Sequence, residues 1–247
     1  LVQDRLQTGQ GLPKVDPATG ATSEFVKQRD AAWLEINAPR WMKDGKNFFW
    51  STDEGASAKT PFTRTELRSA DGTLKRVLLD GSSDSFIAGV MRDQQSVLAF
   101  TRNGLTSATY TRQWLDGSKK PEVIAQSSGG TFISILMAEE ADTVMRTVTR
   151  PDGSISWTVH KDLSTVADTN AKVGSPGGPI GEITSIAAPL PAANVPKLEL
   201  TTVTVEGIEM NAMLIRPKNF VPGKKYPVLN HVYGGPTHQQ VSGYVRG

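Results

Sequence analysis

Hydrolysis by a serine nucleophile needs an elbow that exposes the serine, a histidine base held by a carboxylate, and donors for the oxyanion. This chain of 247 residues contains no Gly-x-Ser-x-Gly elbow, and its histidines are three: His160, His231 and His238. Cysteine is absent, which removes thiolate nucleophiles, disulfides and cysteine-based metal sites. Two other features could carry chemistry. One is the adjacent acidic pair Glu139-Glu140. The other is Tyr233, which ends the apolar run from Tyr226 to Val232 and precedes Gly234-Gly235-Pro236. A phenol at a strand end is a hydrogen-bond donor, but on residue type alone the plainer reading is a half-buried aromatic bonded to backbone. The histidines read as structural: His160 closes a β-rich run, His231 lies inside the apolar run, and His238 sits in the turn past Pro236.

The elements that must position these groups are short strands separated by turn signals, with almost no sustained helical period. Asp-Gly pairs occur at Asp44-Gly45, Asp71-Gly72, Asp80-Gly81, Asp116-Gly117 and Asp152-Gly153. Glycine supplies the positive φ of tight hairpin turns, and aspartate tolerates the neighbouring position. Around them lie β-rich runs at Asn47–Ser51, Thr65–Arg68, Leu74–Leu79, Ser96–Thr101, Thr109–Leu115, Thr143–Thr149 and Ile155–His160. A degenerate phrase, strand then Asp-Gly then return strand, appears from Glu66 to Val77 and again from Arg112 to Val123. The two copies are one propeller blade apart, since blades run roughly 40–50 residues. That spacing favours a propeller over a sandwich or barrel, although any antiparallel protein can reuse Asp-Gly hairpins.

Composition changes after His160. The stretch Val173 to Pro179 is rich in glycine and proline, and Ala187 to Pro196 holds three prolines among small residues, so both read as loop and linker. Beyond them, Leu198–Val205 and Ile208–Ile215 flank Glu206-Gly207 as a hairpin, and Tyr226 to Val232 reads as a buried apolar strand. Hydrophobic content of 38% and 21% charged residues are ordinary for a globular protein. A formal net charge of +2 argues for neither nucleic acid nor a membrane surface as partner, and no apolar stretch approaches the roughly 20 residues that span a bilayer. The first residue, Leu1, opens no signal peptide and reads as a boundary rather than a native start.

From Leu198 onward the order is hairpin, Arg216-Pro217-Lys218-Asn219-Phe220, Lys224-Lys225-Tyr226-Pro227-Val228, apolar strand, Tyr233-Gly234-Gly235-Pro236. This resembles the opening of the catalytic domain in the dipeptidyl-peptidase IV-like branch of the prolyl oligopeptidase superfamily of serine peptidases. Upstream, Pro39-Arg40-Trp41 with Asp44 to Trp50 and Asp53-Glu54-Gly55 resembles one of that family's blade phrases. Ile133-Ser134-Ile135 with Ala141 to Val144 resembles the start of its last full blade. One departure is Ala56 to Phe62, which replaces the family's aromatic-Arg-His turn, so that hairpin tip must be rebuilt.

The resemblance implies a mainly β chain. Residues 1–190 would form a partial β-propeller of about three to four four-stranded blades. Residues 191–247 would be a linker and the first strands of a truncated α/β-hydrolase domain. It implies a serine exopeptidase that removes N-terminal dipeptides of proline or alanine type, acting on peptides and needing no cofactor or metal. Tyr233 would donate its phenol to the oxyanion, with Gly234 and Gly235 letting the backbone turn beneath the substrate. The family's paired glutamates, which anchor the substrate amino terminus, precede everything present here, so Glu139-Glu140 reads as a solvated loop. The nucleophile and base would lie outside the chain, leaving it inactive alone. Family membership also implies a homodimer and a periplasmic or secreted location. The competing readings are a non-catalytic propeller used as a binding platform, or a pseudo-peptidase. A third is acylaminoacyl-peptidase or oligopeptidase specificity in the same superfamily.

Overall fold

The Asp-Gly turns do the punctuation expected of them. All five glycines take positive φ, from 63° at Gly45 to 90° at Gly72. At Gly72 a second constraint applies, because a Cβ there would sit 2.6 Å from the carbonyl oxygen of Phe25. Four of the pairs join strands within one sheet. Asp80-Gly81 instead links one sheet to the next.

The computed structural model describes residues 1–183, 191, 194–233 and 240–241. Strands β1 (Val2–Gln3), β2 (Gly9–Val15) and β3 (Thr22–Arg29) form a three-stranded sheet in chain order. Strands β4 (Arg40–Trp41), β5 (Asn47–Thr52), β6 (Arg64–Ser69) and β7 (Leu74–Leu79) form the first four-stranded sheet. The second contains β8 (Ser85–Val90), β9 (Ser96–Arg102), β10 (Ala108–Trp114) and β11 (Glu122–Ser127), and the third β12 (Phe132–Met137), β13 (Val144–Thr149), β14 (Ile155–His160) and β15 (Gly181–Ile183). Each follows chain order from one edge to the other, the strand order of propeller blades. The repeated phrase falls on β6–β7 and β10–β11, the last two strands of consecutive sheets. In the third sheet this last hairpin is opened by residues 161–180, which include the 3-10 turn η1 (Leu163–Thr165).

Two compact units divide the chain. One is Leu1–Arg102 with Tyr110–Val123, the other Asn103–Thr109 with Ile124–Gly247. In the first, β5 explains the packing. Its Phe48 and Trp50 face Val26, Leu12 and Phe25 of the three-stranded sheet, while Phe49 faces Met42, Leu67 and Val97 on the other side. A strand covered on both faces carries a continuous apolar run rather than an alternating one, and Asn47–Thr52 does so. In the second unit, Val144, Arg146 and Val148 alternate onto the buried face of β13.

The rebuilt tip between β5 and β6 folds on itself. Ser57 and Thr60 exchange backbone hydrogen bonds of 3.2 and 3.1 Å, and Asp53 accepts from the Thr63 hydroxyl at 2.7 Å and from the Glu35 amide at 3.2 Å. The final elements are β16 (Leu198–Val205) and β17 (Ile208–Ile215), paired over their whole length from Leu198↔Ile215 to Val205↔Ile208. Their turn holds Glu206 at φ 52° and Gly207 at φ 80°, the doubly left-handed geometry that matches strand twist.

One expectation fails. The run from Tyr226 to Val232 is not a strand, and Val228, Leu229 and Val232 are 87%, 95% and 75% exposed. A strand exists only where a neighbour takes its N–H and C=O groups, and among the described residues none pairs with this run.

Candidate functional site

The residues leading to Tyr233 are anchored where β17 ends. Arg216, the next residue, lies diagonally from Glu199 on β16, whose register partner is Leu214, and its guanidinium binds that carboxylate in two places, Nε to Oε1 at 2.7 Å and Nη2 to Oε2 at 3.0 Å. The paired fork lowers the Glu199 carboxyl and raises Arg216, each chiefly through these hydrogen bonds. The same guanidinium covers the Phe220 ring at 4.4 Å, and Phe220 in turn meets Tyr226 at 5.3 Å between ring centroids. The Tyr226 hydroxyl accepts from the Val221 amide at 2.9 Å and donates to the Asn219 carbonyl at 3.3 Å. Residues 219–226 are thereby closed by one side chain rather than by a strand.

From Pro227 the chain is exposed, and Tyr233 itself is 55% exposed. Gly234, Gly235, Pro236 and His238 lie outside the described residues.

The other candidates sit elsewhere. His160 is fully buried at the end of β14, its Nε2 2.9 Å from the Thr158 hydroxyl and its Nδ1 3.0 Å from that of Thr165. Burial first, and then the charge of Arg146, pushes its pKa below the ordinary 6.5. A neutral imidazole held between two hydroxyls is a packing element. His231 is exposed in the unpaired run, and Glu139-Glu140 is an exposed turn between β12 and β13.

Sequence reasoning missed two buried charged groups, the Glu66 carboxylate and the Arg146 guanidinium. Glu66, 1% exposed, receives the Arg64 guanidinium on Oε1 at 2.8 Å and that of Arg68 on Oε2 at 2.7 Å. The signal was the spacing Arg-x-Glu-x-Arg, which on a strand puts three charges on one face. Arg146, 2% exposed, donates to the Val166 and Asp168 carbonyls at 2.7 Å each and fastens the segment after η1 onto the sheet. Nothing local to Arg146 announces those partners, which lie 20 and 22 residues away. An open cavity of about 360 Å³ is lined by Thr8, Arg29, Asp30 and Ala31. The Asp30 carboxyl is held low by the Ala32 and Gly55 amides. Among the described residues no group of three or more His, Asp or Glu side chains could hold a metal ion, and no helix is long and apolar enough to cross a membrane.

No family model matches the chain. A dipeptidyl-aminopeptidase B of Coccidioides posadasii is 34% identical over 128 residues, 52% of this chain and 13% of the relative. The protein of the same name from Ajellomyces dermatitidis is 60% identical over 40 residues, 16% of this chain and 4% of that one. Among solved structures, a Bacteroides ovatus protein described as a dipeptidyl aminopeptidase IV superposes with a TM-score of 0.72 at 17% identity, over 98% of this chain and 35% of its own. The superposition concerns the fold; the sequence matches concern kinship. The chain spans well under two thirds of the relatives it matches. These sequence matches support the identification of the chain with the dipeptidyl-peptidase IV-like branch of the prolyl oligopeptidase superfamily, and its blade-ordered sheets are similar in fold to that solved structure.

Proposed function

We propose that this chain supplies part of the propeller and the opening of the catalytic domain of a serine exopeptidase that releases N-terminal dipeptides. In this reading residues 1–190 are propeller and 191–247 are linker and hydrolase strands. The propeller would restrict access to short or unstructured peptides, and Tyr233 would donate its phenol to the oxyanion formed when serine attacks the scissile carbonyl. The observation that carries the reading is the half-exposed Tyr233, held out of any core on a segment whose start is fixed at Tyr226. A phenol held in place beside the scissile carbonyl would stabilise the developing negative charge where a mobile water could not.

The test uses the whole protein in which this chain occurs, with a chromogenic Xaa-Pro dipeptide substrate. Tyr233→Phe should lower kcat by about 10²- to 10³-fold with little change in KM, the effect of removing one oxyanion donor. Wild-type turnover in that variant would overturn the role. The chain alone, lacking an elbow serine, should show no turnover above blank. A whole protein that binds peptides but never cleaves them would transfer the reading to a binding platform. Light scattering on the whole protein tests the homodimer that the family implies.

A further inference from the structure

We propose that Asn103-Gly104, in the turn between β9 and β10, is a site of spontaneous covalent modification, where the asparagine side chain loses ammonia through a cyclic imide and becomes aspartate or isoaspartate. It is the chain's one Asn-Gly pair. Both residues are exposed, and a Cβ built on Gly104 would meet nothing within 4 Å. Without a side chain, the Gly104 nitrogen is open to close approach. Among the described residues its N–H makes no hydrogen bond. The Asn103 amide has a single partner there, donating from Nδ2 to the Thr109 hydroxyl at 2.5 Å, while its Oδ1 accepts nothing. Nucleophile and electrophile are thus neighbours in the chain, and neither is committed elsewhere in the fold.

The step balances with water as co-reactant. The Gly104 nitrogen gives its proton to solvent and attacks Cγ of Asn103. A C–N bond forms, the Cγ–Nδ2 bond breaks, and the side-chain nitrogen takes a proton from solvent and leaves as ammonia. Water then opens the imide. Attack at Cγ restores the backbone with aspartate; attack at the backbone carbonyl leaves the chain running through Cγ as isoaspartate. The four hairpin Asp-Gly pairs contain related atoms but are held back twice. Asp44, Asp71, Asp116 and Asp152 each accept the N–H two residues on, at 2.8–3.0 Å. The following glycines donate their own N–H groups to the Met42, Ser69, Trp114 and Arg150 carbonyls at 2.8–3.1 Å, so each nitrogen is freed only when its turn opens. Hydrogen bonds, chiefly from the Ser69 hydroxyl, the Ser118 amide and the Ser154 hydroxyl, hold the Asp71, Asp116 and Asp152 carboxyls below their ordinary value and keep them ionised. A carboxylate is a poorer electrophile than an amide.

Either product replaces a neutral amide with a carboxylate and ends the donation to Thr109. Isoaspartate also adds a carbon to the backbone of a turn closed by the Asn103 N–H on the Ser107 carbonyl at 2.9 Å and the Ser107 hydroxyl on the Asn103 carbonyl at 2.8 Å. The experiment ages the whole protein in neutral buffer, folded and in guanidinium chloride. Each pair is followed by peptide mass spectrometry and by enzymatic methylation of isoaspartyl carboxyls. Asn103 should convert in the folded protein within about threefold of its unfolded rate, whereas folding should slow each of the four hairpin Asp-Gly pairs at least about tenfold. Asn103→Gln, whose longer side chain disfavours the ring, should remove isoaspartate from that peptide. Slowing of Asn103 by more than about threefold, the same folded-to-unfolded ratio at every pair, or isoaspartate persisting in that peptide of Asn103→Gln would overturn the assignment. The comparison of folded and unfolded wild type stands by itself if Asn103→Gln does not fold.

Discussion

Strand β5 and strand β16 are both rich in β-formers, yet four of the six residues of β5 are buried and none of the eight in β16 is. The first is clamped between two sheets, with Phe48 and Trp50 turned one way and Phe49 the other. Among the described residues the second has only β17 beside it, and its order comes from a left-handed turn at one end and the Glu199–Arg216 pair at the other. Strand propensity is shared; the supply of neighbours is what differs. The blade sheets owe their stability to burial, and the hairpin owes its shape to local geometry.

The comparison breaks if the two regions respond alike to truncation. Phe48→Ala should destabilise the first unit by about 3–5 kcal/mol, read as a shift in the denaturant midpoint. Val203→Ala in β16, a site 46% exposed, should change the same midpoint by less than about 0.5 kcal/mol. Equal shifts would mean the hairpin is packed after all.

Ion pairs sharpen the contrast. Glu66→Ala leaves two guanidinium groups at an acceptor that no longer exists, and should lower stability by about 3 kcal/mol. Glu199→Gln at the exposed pair should leave the unfolding midpoint of the blade sheets where it was.

A pH effect comes next, confined to the second unit. The His160 pKa is depressed on folding by burial and by Arg146, against smaller opposing effects of Thr165 and Asp162. Its stabilisation is therefore complete above the unfolded value of 6.5 and is lost as pH falls below it. Unfolding followed between about pH 7 and 5 should show this loss in the wild type and not in His160→Gln. A parallel decline in both would assign the effect to other groups.

The smallest effect should come from the hairpin turn. Glu206 sits at φ 52°, where asparagine is better tolerated. Glu206→Asn should slow amide exchange in β16 and β17, a gain of about 0.5 kcal/mol.

Much of this was legible beforehand where turn chemistry and strand pattern agreed. The runs Leu198–Val205 and Ile208–Ile215 were read to the residue, because Glu-Gly between two β-branched stretches leaves one register. Strand β2 escaped notice because Gly9, Gly11 and Pro13 lie inside it. Its register shifts between Leu12 and Pro13, the kind of irregularity at which a sheet admits proline. The misreading of Tyr226 to Val232 has the opposite cause: apolar residues announce a wish for burial, whereas pairing depends on what lies alongside. At the candidate site, Tyr233 was marked by likeness to a family rather than by its own physics. The Glu199–Arg216 pair was invisible because its members lie 17 residues apart and meet only through hairpin register.

The long excursion between β14 and β15 bears on how the protein emerges from the ribosome. The four strands of the first blade sheet span Arg40 to Leu79, so that sheet can close soon after its last residue leaves the exit tunnel. The third sheet must wait, with three strands made by His160 and the fourth not begun until Gly181. At roughly 5–20 residues per second, the edge of β14 stays unpaired for about one to four seconds during synthesis. That interval is a window for wrong strand partners, and it ends only when Gly181–Ile183 arrives to cover the edge.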